Sequence, residues 1–347
     1  MIKAYQYIDT DHSKLHQYVM AFFKKIETCT GEFSEELFDP EFLPIVNSHY
    51  KILKSKFKEI YIQFSDLSEE NRKLLCDRII KSNEIEKICR GEYRPAAFPE
   101  KPSGIEESLK DLFVNLYDQV LSGNSFQNSI KKTLRDHFDE FSQTNEDITL
   151  CPLCGIGELK KAQDETRDQY DHYLSKTLYP FSSVNFHNLV LSCKECNSFD
   201  VKGNKDIIAI STGKLFFPYD DKHQGVSLVA NVSQDNTKLE EIKWDLVFSN
   251  SDGKDDEIES WKRIYSIDSR YKSYISGRIK KWYSTYYDYL NSSQLAQVPI
   301  EMREICYMES IKNDDDLGLS YIRKPALEGL LSSSPTVKAK IESVKFS

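Results

Sequence analysis

The sequence predicts a mostly helical α+β protein with a small metal-stabilised unit inserted between its helical regions. Apolar residues recur at helical spacing before and after the middle of the chain. In residues 151–206 that spacing fades, and Cys, Asn, His and Gly become frequent. Short alternating apolar stretches, typical of half-buried strands, come next. We therefore divide the chain into a helical region 1–103, a helical linker 104–150, the inserted unit 151–212 and a C-terminal region 213–347 of short strands followed by helices.

Composition is typical of globular proteins and excludes several function classes. The 347 residues suffice for two or three domains with a sizeable core. Hydrophobic residues make up 39% and charged residues 29%, which excludes whole-chain disorder, and no apolar run is long enough to span a membrane. The net charge of −9 argues against a protein that coats nucleic acid by charge alone, but it permits an enzyme with one basic groove. The first residues lack the apolar segment of a secretory leader, so we expect a cytoplasmic protein.

Helices are predicted on both sides of a proline-rich break at residues 94–104. Residues 12–92 carry apolar side chains at helical spacing. The first such set is Leu15, Val19, Phe22, Phe23 and Ile26. The break holds three Pro and one Gly, residues that end helices. Helical spacing returns over residues 109–121 and 126–141, so the linker leads from helices into the inserted unit.

The C-terminal region is predicted to contain two strands and then helices. Apolar and polar residues alternate over 226–230 and 244–248, and helical spacing follows over 256–290 and 301–331. Residues 261–289 hold seven Lys or Arg against two Asp, interleaved with nine aromatic residues. Such a stretch can follow a phosphate backbone. An amphipathic helix with an aromatic core face explains it as well, and we favour that interpretation.

Two C-x-x-C pairs predict a zinc site. The pairs are Cys151 with Cys154 and Cys193 with Cys196. In a chain without a leader, such pairs favour a metal over disulfides. Two pairs can meet at one tetrahedral Zn²⁺ whose four positions are all filled, which makes the site structural. The alternative is two unrelated redox or chance pairs, and we favour zinc because both pairs have the same spacing and flank further polar residues.

Polar residues between and after the cysteines can form a second site. Asp171 and His172 are adjacent, Asn188 begins the run 188–192 whose apolar centre is typical of a short strand, and Asn197 follows Cys196 directly. We expect Asp171 and His172 to lie on one strand and Asn188 to lie on the next. We expect a helix after Cys196 that presents Asn197 toward Asp171. The strand–strand–helix unit would then hold a carboxylate, an imidazole and an amide in one cleft.

This ordered set of residues resembles the HNH nuclease family, the ββα-metal class. The segments that carry the resemblance are CPLCG at 151–155, YDH at 170–172 and HNLVLSCKECN at 187–197. The resemblance covers residues 151–206 and implies a metal-dependent endonuclease that hydrolyses DNA phosphodiester bonds. Many family members have His where this chain has Asn197. An Asp and Asn pair of oxygen ligands suits Mg²⁺ or Mn²⁺.

The resemblance also implies a role for each residue. Asp171 and Asn197 would hold the Mg²⁺ or Mn²⁺ ion. His172 would act as the general base, and Asn188 would orient it. Three lysines are candidates for contacts with flanking phosphates, although each can equally be a solvated surface residue. They are Lys176, Lys202 and Lys205.

A second hypothesis is a non-enzymatic zinc module that binds nucleic acid or a protein. This hypothesis does not explain why Asp171, His172 and Asn197 occur together.

A further resemblance concerns partners. The FFPYD segment at 216–220 is similar to that of nucleases which accompany an ATPase in bacterial anti-phage systems such as Septu, and it implies an ATPase partner.

Overall fold

The computed structural model describes residues 3–28, 31–160, 164–220, 225–313 and 319–339. Within these ranges the chain is mostly helical, and its strands form two separate antiparallel pairs. The predicted α+β class with a predominance of helices is therefore confirmed.

The helices before the inserted unit are packed together by phenylalanine side chains. The Phe22 ring lies edge-on to Phe57 at 4.6 Å, and Phe23 stacks on Phe113 at 5.6 Å. No helix forms between Cys89 and Ile105, as the proline-rich break predicts. The helices of this part are α1 (Lys14–Ile26), α2 (Leu43–Ser48), α3 (Ser55–Ser65), α4 (Glu69–Lys81), α5 (Ile85–Cys89), α6 (Ile105–Asn115), α7 (Asn124–Ile130) and α8 (Leu134–Thr144).

A wider helical turn follows α6 directly. Residues Leu116–Leu121 form a π-helical turn, the kind of local distortion that often occurs at functional sites. It brings Tyr117 against the inserted unit, where its ring meets His172 edge-on.

The inserted unit contains a short antiparallel strand pair. Strand β1 (Tyr170–His172) pairs with β2 (Leu189–Leu191), and Asp171 is the partner of Val190 in this register. All six strand residues are buried. Adjacent residues of a strand point to opposite faces, so Asp171 and His172 are presented in different directions from β1.

The helix predicted directly after Cys196 is not formed, and that prediction is wrong. Residues 194–204 make turns and bends instead. The Lys202 amide donates to the Cys196 carbonyl at 3.3 Å, a six-residue span that an α-helix does not use. Gly203 has a φ of +44°, which is left-handed backbone. The next helix is the four-residue α9 (Ile207–Ile210).

The C-terminal region is a hairpin followed by helices. Strands β3 (Val226–Gln234) and β4 (Lys243–Asn250) pair antiparallel, which confirms the two strands predicted from alternation. Gly329 lies directly on β3, since a Cβ there would come within 1.7 Å of the Ala230 carbonyl oxygen. Ser266, at φ +52°, interrupts the helical pattern of residues 256–290. The helices are α10 (Asp255–Tyr265), α11 (Ile267–Ser276), α12 (Ile279–Leu290), α13 (Ile300–Asn313) and α14 (Ser320–Ser333).

Candidate zinc and catalytic centres

Four cysteine thiols form a compact buried cluster, as the two C-x-x-C pairs predict. The ligand atoms of Cys151, Cys154, Cys193 and Cys196 lie within 4.8 Å of one another, and none of the four is in a disulfide. The Sγ atoms of Cys154 and Cys193 are 3.8 Å apart. That is about the S–S edge of a tetrahedron with Zn–S bonds of about 2.3 Å. The cluster therefore fits a structural metal ion such as Zn²⁺.

The first cysteine pair lies in a turn that only small residues permit. The amides of Ile156 and Gly157 both donate to Cys154 Sγ at 3.4 Å. A Cβ on Gly157 would lie 2.5 Å from Cys193 Sγ, so a larger residue would push the two pairs apart. Amide donors of this kind stabilise a metal-bound thiolate and fix its direction.

The C-terminal helices hold this same turn through its carbonyl groups. The three consecutive carbonyls of residues 153–155 each accept a hydrogen bond from an aromatic side chain. The donors are Trp261 Nε1 at 2.8 Å, Tyr271 Oη at 2.9 Å and Tyr321 Oη. Because these donors belong to α10, α11 and α14, the cysteine cluster and the C-terminal helices share one hydrogen-bonded structure.

Arg270 brings a positive charge to the second cysteine pair. Its Nη1 lies 3.5 Å from Cys196 Sγ, and its Nη2 forms an ion pair with Glu195 at 2.9 Å. Four thiolates around a divalent ion carry a net negative charge. Arg270 would balance part of that charge and orient Cys196.

Asp171 is buried and faces the ammonium group of Lys202. The side chain of Asp171 is 7% exposed and that of Lys202 is 0% exposed. Lys202 Nζ donates to Asp171 Oδ1 at 3.0 Å and also lies 2.9 Å from Oδ2, but without hydrogen-bond geometry. Oδ2 therefore has no hydrogen-bond donor in the described part of the chain. Burial raises the pKa of Asp171, while the charge of Lys202 opposes that rise.

His172 is a buried imidazole with one nitrogen engaged. Its Nε2 lies 2.9 Å from the Ser183 carbonyl oxygen. A carbonyl can only accept, so we assign the proton to Nε2, which leaves Nδ1 with its lone pair. Nδ1 makes no hydrogen bond within the described ranges. Burial lowers the pKa of His172 to about 3, so the ring is uncharged at neutral pH. The Tyr117 ring covers it at 4.3 Å.

Asn188 is fully buried and closes the loop between β1 and β2. Its Oδ1 accepts from the Leu174 amide at 2.7 Å. Its Nδ2 donates to the Leu174 carbonyl at 3.1 Å and to the Ser182 carbonyl at 3.2 Å. These bonds fix the chain just after His172 and just before Ser183, the two residues joined by the imidazole hydrogen bond.

The other predicted site residues have different partners. Asn197 is half exposed, and its side chain makes no hydrogen bond among the residues described. Lys176 forms an ion pair with Asp118 and lies 4.8 Å above the Tyr117 ring. Lys205 Nζ donates to two backbone carbonyls of its own turn. Asn197 thus has an amide group free to bind, whereas both lysines would have to exchange a present partner for a phosphate.

Lys202 is not at the surface, contrary to the expectation that it contacts a flanking phosphate. Its ammonium group is buried because it balances the buried carboxylate of Asp171. In this conformation Lys202 cannot reach a phosphate outside the protein.

Sequence reasoning misses three residues of these centres. Tyr117 has the helical spacing of an ordinary core residue, and nothing local distinguishes it. Ser183 acts through its carbonyl group, which every residue type possesses. Arg270 carries a weak signal, since it belongs to the basic stretch 261–289, but its contact with the cysteine cluster depends on the tertiary fold.

Comparisons with protein-family models, curated proteins and solved structures find no significant match to this chain. Among the described residues, no helix combines the length and the apolar character needed to cross a lipid bilayer.

Proposed function

We propose that this chain is a metal-dependent endonuclease of the HNH type that hydrolyses DNA phosphodiester bonds. One arrangement carries the proposal. On β1, the uncharged imidazole of His172 has an Nδ1 with no hydrogen bond among the described residues. The neighbouring carboxylate of Asp171 has an oxygen, Oδ2, that accepts none within the same ranges and lies 2.9 Å from the Lys202 ammonium group. Phosphodiester hydrolysis needs a base for the attacking water and oxygen ligands for a divalent cation. His172 and Asp171 offer these two groups from neighbouring residues whose side chains leave β1 in different directions.

The donor atoms suit two different ions. The four thiolates suit Zn²⁺, held as a structural ion. Asp171 Oδ2 and the amide oxygen of Asn197 suit Mg²⁺ or Mn²⁺, because hard cations prefer oxygen ligands. When bound there, such a cation offsets the negative charge that develops on the scissile phosphate.

In the proposed reaction, His172 Nδ1 accepts a proton from the water that attacks phosphorus. The new oxygen–phosphorus bond forms as the bond to the 3′ oxygen breaks, and the leaving 3′ oxygen takes a proton from solvent water. The products are a 5′-phosphate and a 3′-hydroxyl, and His172 then releases its proton to solvent. The hydrogen bond from Nε2 to the Ser183 carbonyl orients the ring and stabilises its positive charge. Asn188 holds the preceding carbonyl, that of Ser182. Lys176 and Lys205 would contact neighbouring phosphates in exchange for their present partners.

The second candidate is a non-enzymatic zinc module that binds nucleic acid or a protein. Burial favours it, since Asp171 and His172 are only 7% and 8% exposed. The ion pair with Lys202 favours it too, because the charge of Asp171 is already balanced. In that case the residues on β1 stabilise the fold and do no chemistry.

We also propose a cytoplasmic partner ATPase that controls the nuclease, as in Septu-like anti-phage systems. The proposal rests on the resemblance of residues 216–220. That segment is packed into the fold, since the Phe216 carbonyl accepts from Tyr173 at 2.8 Å and the Pro218 carbonyl accepts from the Tyr5 amide at 2.8 Å. Co-elution with the product of a neighbouring ATPase gene supports this proposal, and separate elution counts against it.

A plasmid cleavage assay with Mg²⁺ or Mn²⁺ tests the nuclease proposal. We expect His172→Ala to cut at least about a hundredfold more slowly than the wild type, the usual contribution of a general base. His49→Ala is the matched control, because His49 contacts Ser48 and Ser125 outside the inserted unit. Equal cutting by His172→Ala would contradict the proposed role. A wild-type protein that binds DNA but never cuts it, with any divalent ion, would favour the zinc module.

A further inference from the structure

We propose that Lys202 is an internal counter-ion of Asp171, and that a divalent ion binds at Asp171 only in exchange for it. The inference rests on the proposed function, which assigns a Mg²⁺ or Mn²⁺ ligand to Asp171. It adds that Lys202 controls whether the Asp171 carboxylate is available to a metal ion.

The ammonium group of Lys202 occupies a position lined by oxygen atoms. Four protein oxygens surround Nζ. They are Asp171 Oδ2 at 2.9 Å, Asp171 Oδ1 at 3.0 Å, the His172 carbonyl at 2.7 Å and the Gly203 carbonyl at 3.4 Å. The Lys202 side chain has no exposed surface. Carboxylate and carbonyl oxygens are also the ligands that hard divalent cations prefer, so the lysine holds a place that suits a metal ion.

Charge opposes simultaneous binding of Lys202 and a divalent ion. Asp171 Oδ2, which accepts no hydrogen bond in the part of the chain that the structure describes, is only 2.9 Å from Nζ. A cation bonded to that oxygen would lie a few ångströms from the ammonium group, in a buried place where salt and water screen little. Two positive charges so close repel each other strongly, and one carboxylate cannot balance both. Binding of the metal therefore requires the ammonium group to leave.

Lys202 is built so that its side chain can leave while its backbone stays. It belongs to turns and not to a helix, and its amide and carbonyl are held by Cys196 and Lys205. Its flexible four-carbon stem can move the ammonium group to the surface without unfolding the turn. The released group could then meet a phosphate, which reconciles its burial with the contact predicted from the sequence.

Mn²⁺ binding to the full chain tests the exchange, measured by the loss of the free Mn²⁺ signal in electron paramagnetic resonance and by calorimetry. The apparent affinity of a site falls by the fraction of molecules in which it is open, so we expect Lys202→Met to bind Mn²⁺ at least about tenfold more tightly than the wild type. Lys202→Arg keeps the charge and should bind no more tightly than the wild type. Lys194→Met, an exposed lysine in the same turns, is the matched control and should bind like the wild type. Lys202→Met that binds no more tightly overturns the exchange.

A second measurement uses the wild-type protein and does not depend on the variant folding. Lysine amines are acetylated with and without saturating Mn²⁺, and the modified peptides are quantified by mass spectrometry. We expect Lys202 to be protected without Mn²⁺ and to react like Lys194 once Mn²⁺ is bound. Continued protection of Lys202 in protein shown to hold Mn²⁺ overturns the proposal.

The outcomes separate this inference from the proposed function. If Asp171→Asn abolishes Mn²⁺ binding but Lys202→Met leaves it unchanged, the metal site stands and the exchange fails. If neither the wild type nor folded Lys202→Met binds Mn²⁺, the metal ligand at Asp171 fails, and the exchange fails with it.

Discussion

Asn188 offers a test at the scale of one residue that is independent of catalysis. It is fully buried, and its amide satisfies the Leu174 amide and the carbonyls of Leu174 and Ser182. Asn188→Ala would leave these groups unpaired, so we expect the free energy of unfolding to fall by about 2–4 kcal/mol. Asn197→Ala removes a half-exposed side chain and should change it by less than about 0.5 kcal/mol. Urea denaturation measures both, and similar losses in the two variants would contradict the bracing role of Asn188.

Protonation of His137 is expected to make the free energy of unfolding depend on pH. It is 2% exposed, and burial lowers its pKa to about 3. In the unfolded chain its pKa is about 6.5, so acid favours the unfolded state. The stability that comes from neutral His137 is present above pH 6.5 and is lost as the pH falls toward 3. We expect this residue alone to reduce the free energy of unfolding by about 2 kcal/mol between pH 7 and pH 5.

His137→Gln removes the titrating group, so its free energy of unfolding should fall less over the same pH range. Urea denaturation at the two pH values gives the difference within each protein, and the lost packing of the ring cancels from it. An equal fall in the wild type and in His137→Gln would show that protonation of His137 does not limit stability in acid.

At the scale of one element, the hydrogen bonds from the C-terminal helices to the first cysteine turn can be tested one at a time. The Tyr271 hydroxyl of α11 is buried and donates to the Cys154 carbonyl at 2.9 Å. Tyr271→Phe should lower the free energy of unfolding by about 1–2 kcal/mol, because the carbonyl loses its donor. Tyr283 of α12 is the matched control, since its buried hydroxyl has no partner among the described residues. Tyr283→Phe should be neutral or stabilising. Chemical denaturation compares the two, and equal effects would rule out a specific contribution of the Tyr271 bond.

Elements set by local pattern could be predicted from the sequence, whereas elements set by distant contacts could not. The alternation of Val226, Leu228 and Ala230 predicts β3, because each strand residue faces the side opposite its neighbour. C-x-x-C spacing identifies each cysteine pair locally, and the four ligands that a structural Zn²⁺ requires predict that the two pairs meet. The helix expected after Cys196 fails because the Lys202 amide bonds back across the turn and Gly203 is left-handed. The spacing of apolar residues in the sequence predicts neither this backbone hydrogen bond nor the left-handed conformation of Gly203.

The candidate catalytic centre likewise contains residues that could be identified from the sequence and residues that could not. The adjacent Asp171 and His172 could be identified because the two residue types stand together in the sequence. Their partners could not, because the ion pair of Asp171 with Lys202 spans 31 residues and the ring that covers His172, that of Tyr117, belongs to the helical linker before the inserted unit. Such pairs follow from the tertiary fold and leave no mark in the local sequence.

At the scale of the whole molecule, the inserted unit depends on both of its flanks. Its strands have only three residues each, too few to be stable alone. The Leu191 carbonyl of β2 accepts from the Tyr5 hydroxyl at 2.9 Å, and the Leu189 carbonyl accepts from Tyr219. On the other side, α10, α11 and α14 bond to residues 153–155. The unit is therefore held by segments far before and far after it in the chain.

Removal of the ion from the cysteine cluster tests whether this mutual dependence is energetic. Four buried thiols without a metal lose the free energy of coordination, which in small zinc domains is also the free energy of folding. We expect a chelator to lower the melting temperature by more than about 5 °C. We also expect hydrogen exchange to speed up in α11 and α14 together with residues 151–157, because hydrogen bonds join these segments.

Helices α1 and α3 provide the internal reference for that experiment. They pack on each other through Phe22 and Phe57 and make no hydrogen bond to residues 151–157 within the described ranges, so their amides should stay protected. Equal loss of protection in α1 and α3 would mean that the whole chain unfolds when the metal is removed. If residues 151–157 alone lose protection, the ion stabilises only the cysteine turn, and the aromatic donors of α10, α11 and α14 hold their helices in place without it.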